Sequence, residues 1–251
     1  MNDLRFDGRT HAMREFANKV PEVTLAFWIL KIMSTTVGET GADFLAVDAG
    51  WGHGATRAAT AALLAIALSL QLHTRRYTPW TYWLTVLLVS VVGTQITDYL
   101  TDALGVSLQA STAAFALALA AIFAAWHLTE RTLSIHAIFT RRRELFYWVA
   151  ILCTFALGTA AGDLATEAFG FGFANGALVF GAMIAATFAA WRLGGNAVAT
   201  FWIGYVLTRP FGAALGDLLT QATSHGGLGL GATWTSGVFP AAIVALVAAA
   251  Q

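Results

Sequence analysis

Four times along this chain an aromatic residue and a Trp are followed by Gly ten residues after the Trp and by Asp fifteen after it. The copies are Phe27-Trp28/Gly38/Asp43, Tyr82-Trp83/Gly93/Asp98, Tyr147-Trp148/Gly158/Asp163 and Phe201-Trp202/Gly212/Asp217. A skeleton that returns with unchanged internal spacing marks a repeat architecture, so the fold has to be assembled from four equivalent units.

Composition sets the solvent for those units. Of 251 residues, 57% are hydrophobic and only 11% charged, which is too apolar for an ordinary soluble domain of this length. Apolar stretches near 22–46, 54–72, 80–103, 109–128, 145–168, 174–192, 198–222 and 231–250 approach or exceed the roughly 20 residues a spanning helix needs. The expected fold is an all-α integral membrane protein with eight transmembrane helices, arranged as four parallel helical-hairpin repeats. A cytoplasmic arm over 1–21 precedes one transmembrane domain over 22–251, with repeats at about 22–79, 80–144, 145–197 and 198–251. Each repeat has two spans, so all copies share one orientation across the bilayer.

The basic residues set that orientation. Arg5, Arg9, Arg14, Lys19, Arg75, Arg76, Arg131, Arg141, Arg142, Arg143 and Arg192 fall in the N-terminal arm or between hairpins, and the loops inside the hairpins carry no Lys or Arg. By the positive-inside bias both termini are expected in the cytoplasm. The arm has charges of both signs and no apolar core, unlike a cleaved signal peptide. The single cysteine, Cys153, sits in an apolar segment and supports neither a disulfide framework nor a thiolate metal site.

At about 1.5 Å per residue, Trp and Asp of one motif are about 22 Å apart, near opposite ends of a span. The Trp residues fit an interfacial belt. Gly38/Ala42, Gly93/Thr97, Gly158/Gly162 and Gly212/Gly216 place two small residues one turn apart in every copy. Such pairs admit close helix packing, or alternatively mark a break that frees carbonyls, with Pro210 favouring a break in the fourth copy.

Helical residues four apart share a face, so the acids stack as Glu39/Asp43, Asp98/Asp102 and Asp163/Glu167, with Asp217, Gln95 and Gln221 nearby. If the hairpins surround one axis, the four motif Asp residues form a ring at one depth. A carboxylate inside a bilayer costs about 2.5–3.5 kcal/mol on insertion scales, so this group needs compensation. Lys31, Arg209 and Arg57 are the available cations; protons or a bound cation supply the rest, since clustered carboxylates hinder one another's ionisation. Asp, Glu, Gln and Thr oxygens without nearby Cys suit hard ions such as Mg²⁺, Ca²⁺ or Mn²⁺. His53 and His225 lie in loops just beyond the first and fourth motifs. The competing view is that the acids are hydrated helix ends, their spacing preserved by duplication alone.

Asn18-Lys19-Val20-Pro21-Glu22, followed by Phe27-Trp28, Lys31-Ile32, Thr35-Thr36, Gly38-Glu39-Thr40 and Asp43, resembles a bacterial inner-membrane family with four tandem copies of a two-span repeat of unknown function. The resemblance covers nearly the whole chain and implies eight spans, one Trp per repeat and residence in the bacterial inner membrane. There is a fainter similarity to cation exporters with Glu-x-Gly-Asp motifs, from which the order Glu39-Thr40-Gly41-Ala42-Asp43 departs.

The functional expectation is a transporter for a small cation, a divalent metal such as Mn²⁺ exchanged against protons. Its binding residues are Glu39, Thr40, Asp43, Gln95, Asp98, Asp102, Asp163, Glu167, Asp217 and Gln221, with Glu39, Asp43, Asp98, Asp163 and Asp217 as metal ligands and Lys31 and Arg209 balancing charge. The alternatives are an anion or organic-solute carrier built on Arg209 and Lys31, and a membrane scaffold or sensor that presents Arg141–Arg143 to headgroups or a partner. No nucleophile-base pair, phosphate loop or His-x-x-x-His motif points to an enzyme, and the basic residues follow topology rather than a nucleic-acid-binding face. Beyond a bound divalent cation no cofactor is implied. The expected partners are the bilayer, the ion and, as an open possibility, further copies of the chain.

Overall fold

The computed structural model describes residues 18–249, so most of the expected N-terminal arm lies outside the described residues. Eight long helices account for most of them: α1 Leu25–Asp43, α2 Gly52–His73, α3 Pro79–Asp98, α4 Leu108–Glu130, α5 Arg141–Asp163, α6 Gly172–Arg192, α7 Ala197–Thr220 and α8 Ala232–Ala249. No strand occurs among the described residues. Five helical segments, Gly52–His73, Pro79–Ala103, Leu108–Glu130, Arg141–Thr166 and Gly172–Arg192, are long and apolar enough to cross a membrane. The protein is therefore a multi-pass, membrane-type helical protein. The two α-helices that carry the buried cations Lys31 and Arg209, α1 and α7, are not among those five.

Local chemistry places the helix starts. Thr24, Ser107 and Thr140 accept a backbone N–H three residues on, Asn196 accepts two, and Pro79 opens α3, where its missing donor costs nothing. The ends are more unusual. In the first three repeats the motif Asp is the last α-helical residue, and the chain then widens into a π-helical turn: Phe44–Asp48, Tyr99–Ala103 and Leu164–Ala168. Ala49, Leu104 and Phe169 donate to the carbonyls of Phe44, Tyr99 and Leu164, five residues back in each case. Gly50, Gly105 and Gly170 then turn the chain with φ of 71°, 66° and 67°, a region glycine enters without steric cost. The fourth repeat keeps α geometry to Thr220 and has no π-helical turn.

The odd-numbered helices form a closed ring. α1 packs on α3, α3 on α5, α5 on α7, and α7 back on α1. The even-numbered helices lie outside it, and here the structure differs from four self-contained hairpins. Each outer helix leans on the inner helix of the next repeat, α2 on α3, α4 on α5 and α6 on α7, and α8 closes the circle against α1.

The motif glycines make the ring possible. A Cβ on Gly38 would collide with Ser90, on Gly93 with Phe155 at 2.6 Å, on Gly158 with Arg209, and on Gly212 with Thr35 at 2.7 Å. Every neighbour lies seven residues after its own motif Trp, so one contact recurs four times around the circle. All four glycines sit inside continuous α-helix, as does Pro210, so this is close packing and not a helix break.

The aromatic residues repeat the same rotation. The ring centroid of Phe27 is 5.7 Å from that of Trp83, Tyr82 is 5.5 Å from Trp148, Tyr147 is 6.2 Å from Trp202, and Phe201 is 5.7 Å from Trp28. Trp83, Trp148 and Trp202 are 3%, 3% and 5% exposed. Three of the four motif Trp residues, expected at an interface, thus belong to an internal plug, and Trp28 is half-buried. In that plug these aromatic side chains bury a large apolar area and meet in favourable edge and offset geometries.

Candidate functional site

Five layers of side chains stack along the inner ring, each contributed by equivalent positions of the four repeats four residues apart on their helices. The first is the aromatic plug of Phe27, Tyr82, Tyr147 and Phe201, in which the hydroxyls of Tyr82 and Tyr147 are hydrogen-bonded at 2.5 Å. The second holds Lys31, Val86, Ile151 and Tyr205, and the third Thr35, Ser90, Phe155 and Arg209; all eight are buried. Glu39, Thr94, Thr159 and Ala213 form the fourth, and among the described side chains Asp98, Asp163 and Asp217 form the fifth. Exposure rises along this sequence, from a sealed aromatic end to a carboxylate end reached by solvent.

At the carboxylate end a cavity of about 450 Å³ is lined by Glu39, His53, Arg57, Gln95, Asp98, Asp102, Asp163, Asp217 and Gln221, among others. Five acids, drawn from all four repeats, therefore face one space, and three of the four motif Asp residues, Asp98, Asp163 and Asp217, are among them. The side chains of Asp43, Glu167 and His225 lie outside the described ones. Gln95 accepts from Thr60 Oγ1 at 2.7 Å, and Thr101 Oγ1 donates to Asp102 at 3.3 Å. Thr40 is buried and donates to the Thr36 carbonyl at 3.1 Å. The Arg57 guanidinium lies 4.8 Å from the centre of the Tyr99 ring, at the edge of the cavity.

The two cations expected to balance charge differ. Arg209 meets an acid of another repeat: its Nη2 reaches across the ring to Glu39 Oε2 at 2.5 Å and to Thr94 Oγ1. Lys31 balances no acid among the described side chains. Its ammonium donates to Thr35 Oγ1 at 3.1 Å and rests 3.9 Å from the Phe155 ring centre and 4.4 Å from that of Tyr205. A fully buried ammonium held by a hydroxyl and two aromatic faces relies on cation–π attraction, which strengthens where water is excluded.

The metal reading fares differently from the ring. Among the described residues no group of three His, Cys, Asp or Glu side chains comes together in a way that would hold a metal ion. The proposed ligands Glu39, Asp98, Asp163 and Asp217 share a cavity without forming a coordination sphere, and Glu39 already has Arg209 as its partner.

Sequence reasoning missed several participants. Thr94 and Ser90 are the Arg209 and Gly38 partners, and both could have been found from the register, since they stand where Glu39 and Thr35 stand in the first repeat. The pairing of Lys19 with Glu144, at 2.5 Å and nearly unexposed, joins the residues just before α1 to the start of α5 near the aromatic end. Gln71 also reaches Glu144, at 3.4 Å, and Lys19 also donates to the Leu72 carbonyl, which ties in the end of α2. Nothing in the local sequence relates residues so far apart.

Neither a curated protein nor a solved structure matches the chain. A repeat profile matches it four times in tandem, over residues 26–77, 81–132, 146–194 and 200–250. Those segments each take in one inner helix and the outer helix that follows it in sequence, and together they cover most of the sequence; the chain belongs to the family described as Repeat of Unknown Function (DUF347).

Proposed function

We propose that this protein is a carrier for a small cation in the bacterial inner membrane. All eight helices cross the bilayer, both termini lie in the cytoplasm, and the carboxylate cavity opens to the opposite side. Its basic loops favour that orientation, and α1 and α7 tolerate charge because their neighbours shield them from lipid. One observation carries the reading: Glu39, Asp98, Asp102, Asp163 and Asp217, drawn from every repeat, surround a single cavity whose only cationic neighbours among the lining residues are Arg57 and, when protonated, His53. A cleft lined mainly by one sign of charge and walled by apolar helices concentrates the opposite charge. Among the described residues the carboxylates are distributed and do not gather into a coordination sphere, which favours an ion held with part of its hydration shell. A Mn²⁺-like metal is one member of the class to be tried, beside alkali and organic ammonium ions. Exchange of the ion for protons on the same carboxylates remains the return step.

The test is uptake by proteoliposomes of a panel comprising K⁺, Na⁺, Mg²⁺, Mn²⁺ and methylammonium. Saturable uptake of at least one member is expected, with at least a tenfold loss in Asp98→Asn/Asp163→Asn/Asp217→Asn. No uptake of any member, or uptake untouched by the triple change, would overturn the reading. Anion carriage is the second reading, motivated by two buried cations, Lys31 and Arg209, against one carboxylate partner, Glu39. Chloride and sulfate flux in the same vesicles decides between them.

A further inference from the structure

The deepest acid of the cavity is already occupied by a cation of the protein itself. Glu39 lines the cavity with its side chain 15% exposed, while the Arg209 side chain on the far side of the ring is 1% exposed. The guanidinium crosses from α7 to touch Glu39 on α1 and Thr94 on α3, so it lies across the axis immediately behind the cavity floor. Gly158 makes room for it, since a Cβ there would overlap the Arg209 stem.

The manner of attachment is informative. Arginine binds carboxylates most strongly through two parallel N–H bonds. Here both contacts fall on Nη2, and the buried Nε and Nη1 have no hydrogen-bond partner among the described residues. Leaving such donors unmade costs free energy, so the arrangement holds the cation without satisfying it. A fixed structural ion pair would be expected to use the fork. A contact that must form and release in each cycle is better served by one nitrogen.

We propose that Arg209 is a tethered stand-in for the transported cation: it occupies Glu39 while the carrier is empty and is displaced when a cation enters from the cavity. This rests on the cation-carrier reading and adds its reset step. An empty carrier with a bare buried carboxylate changes conformation reluctantly, because an unpaired charge in a low-dielectric interior is costly. Supplying the charge from the protein removes that obstacle at Glu39, as protons do at the other carboxylates, so net uptake, which needs the carrier to return without the cation, depends on Arg209. Exchange of one bound cation for another does not pass through the empty state.

Two measurements on purified protein test the proposal, using whichever panel cation the wild-type protein carries. The first is equilibrium binding by isothermal titration calorimetry. Removing an internal competitor makes Arg209→Gln bind the cation more tightly, by roughly tenfold or more, the equivalent of one lost competing contact of about 1.4 kcal/mol. A merely structural arginine gives the opposite result, since its loss loosens the ring and weakens binding. The second measurement is the ratio of net uptake to exchange in proteoliposomes, which falls at least fivefold in Arg209→Gln and is partly restored in Arg209→Lys. Unchanged or weaker binding, or an unchanged ratio, overturns the proposal. If Arg209→Gln does not give monodisperse protein, Thr94→Val serves instead: it removes the second Nη2 contact, leaves both charges in place, and by loosening the competitor is expected to tighten cation binding. Unchanged or weaker cation binding there overturns the proposal. Absence of both binding and exchange in the wild-type protein overturns the carrier reading itself, which separates the two failures.

Discussion

At one end of the inner ring Phe27, Tyr82, Tyr147 and Phe201 are buried to within 9% of full burial; at the other, sixteen residues along each helix, Asp98, Asp163 and Asp217 border a solvent-reached cavity. Both sets occupy equivalent positions of the same four helices. The difference lies in what a fourfold copy does to each chemistry. An aromatic ring meeting another aromatic ring is attractive, so four copies close on themselves and every contact is gained four times over. A charge meeting its own copy is repelled, and the repulsion grows as water leaves. The buried layers obey this rule. The second layer keeps one cation, Lys31, the third keeps one, Arg209, and the fourth keeps one acid, Glu39; uncharged residues fill the other positions. Only where water enters is a charge retained in all four repeats.

The comparison breaks first if the ring cannot close. Gly158→Leu drives a side chain into the Arg209 stem and should leave no monodisperse protein in detergent, as judged by size-exclusion chromatography and yield. Gly41→Ala is the control, because among the described residues its Cβ meets only Val37 Cγ1 at 3.8 Å, and it should leave the thermal midpoint within about 2 °C of wild type. An effect next in size comes from the one acid of the buried layers. Glu39→Ala strands the Arg209 guanidinium, and breaking a buried pair from one side typically costs about 3–5 kcal/mol; the solvent contact of Glu39 places the expectation near the lower figure. Reversible unfolding in mixed micelles measures it. A loss below about 1 kcal/mol would mean that the pair is not a closed, dry contact.

A smaller effect sharpens the aromatic side. Tyr82 and Tyr147 depart from the Phe at the same positions of the other two repeats, and their hydroxyls pair with each other at 2.5 Å. Either Tyr→Phe change alone leaves one buried hydroxyl without its partner and costs about 1–2 kcal/mol. Changing both restores the all-Phe layer that the first and fourth repeats already use, and should cost less than the sum of the singles. A double-mutant cycle with a coupling energy near zero would break the claim that the hydroxyls serve each other.

Periodicity and spacing made the repeat unit and the helical class readable from the sequence. Identical spacing in four copies gives equivalent positions on four helices, and side chains four apart on a helix share a face, which is how Asp98, Asp163 and Asp217 come to line one cavity. What stayed hidden is relational. That α2 lies against α3 and not α1, and that α8 closes the circle on α1, depends on the sense in which hairpins are wound, which no local pattern encodes. The Trp residues looked interfacial because a Trp near a span end usually is; ring closure buries Trp83, Trp148 and Trp202 instead. The contact of Arg209 with Glu39, 170 residues away in sequence, follows from no local spacing. The π-helical turns after Asp43, Asp98 and Asp163 left no compositional mark, although such turns frequently accompany functional sites.

The smallest effect tests whether the open end works by charge alone. Asp102 is exposed at the cavity rim, one turn beyond Asp98, and accepts a hydrogen bond from its neighbour Thr101 at 3.3 Å. Asp102→Asn keeps the shape and most of that bond, so the stability change should stay within about 0.5 kcal/mol. Its effect should fall on the rate of capture. With the Debye length about 30 Å at 0.01 M ionic strength and about 3 Å at 1 M, the rim charge attracts an approaching cation in the first case and is screened in the second. Initial uptake by Asp102→Asn should therefore be about twofold to threefold slower than wild type at low ionic strength and indistinguishable from it at high. The same deficit at both ionic strengths would mean that Asp102 touches the ion directly, and the binding region would then extend outward past the carboxylate ring into the π-helical turn.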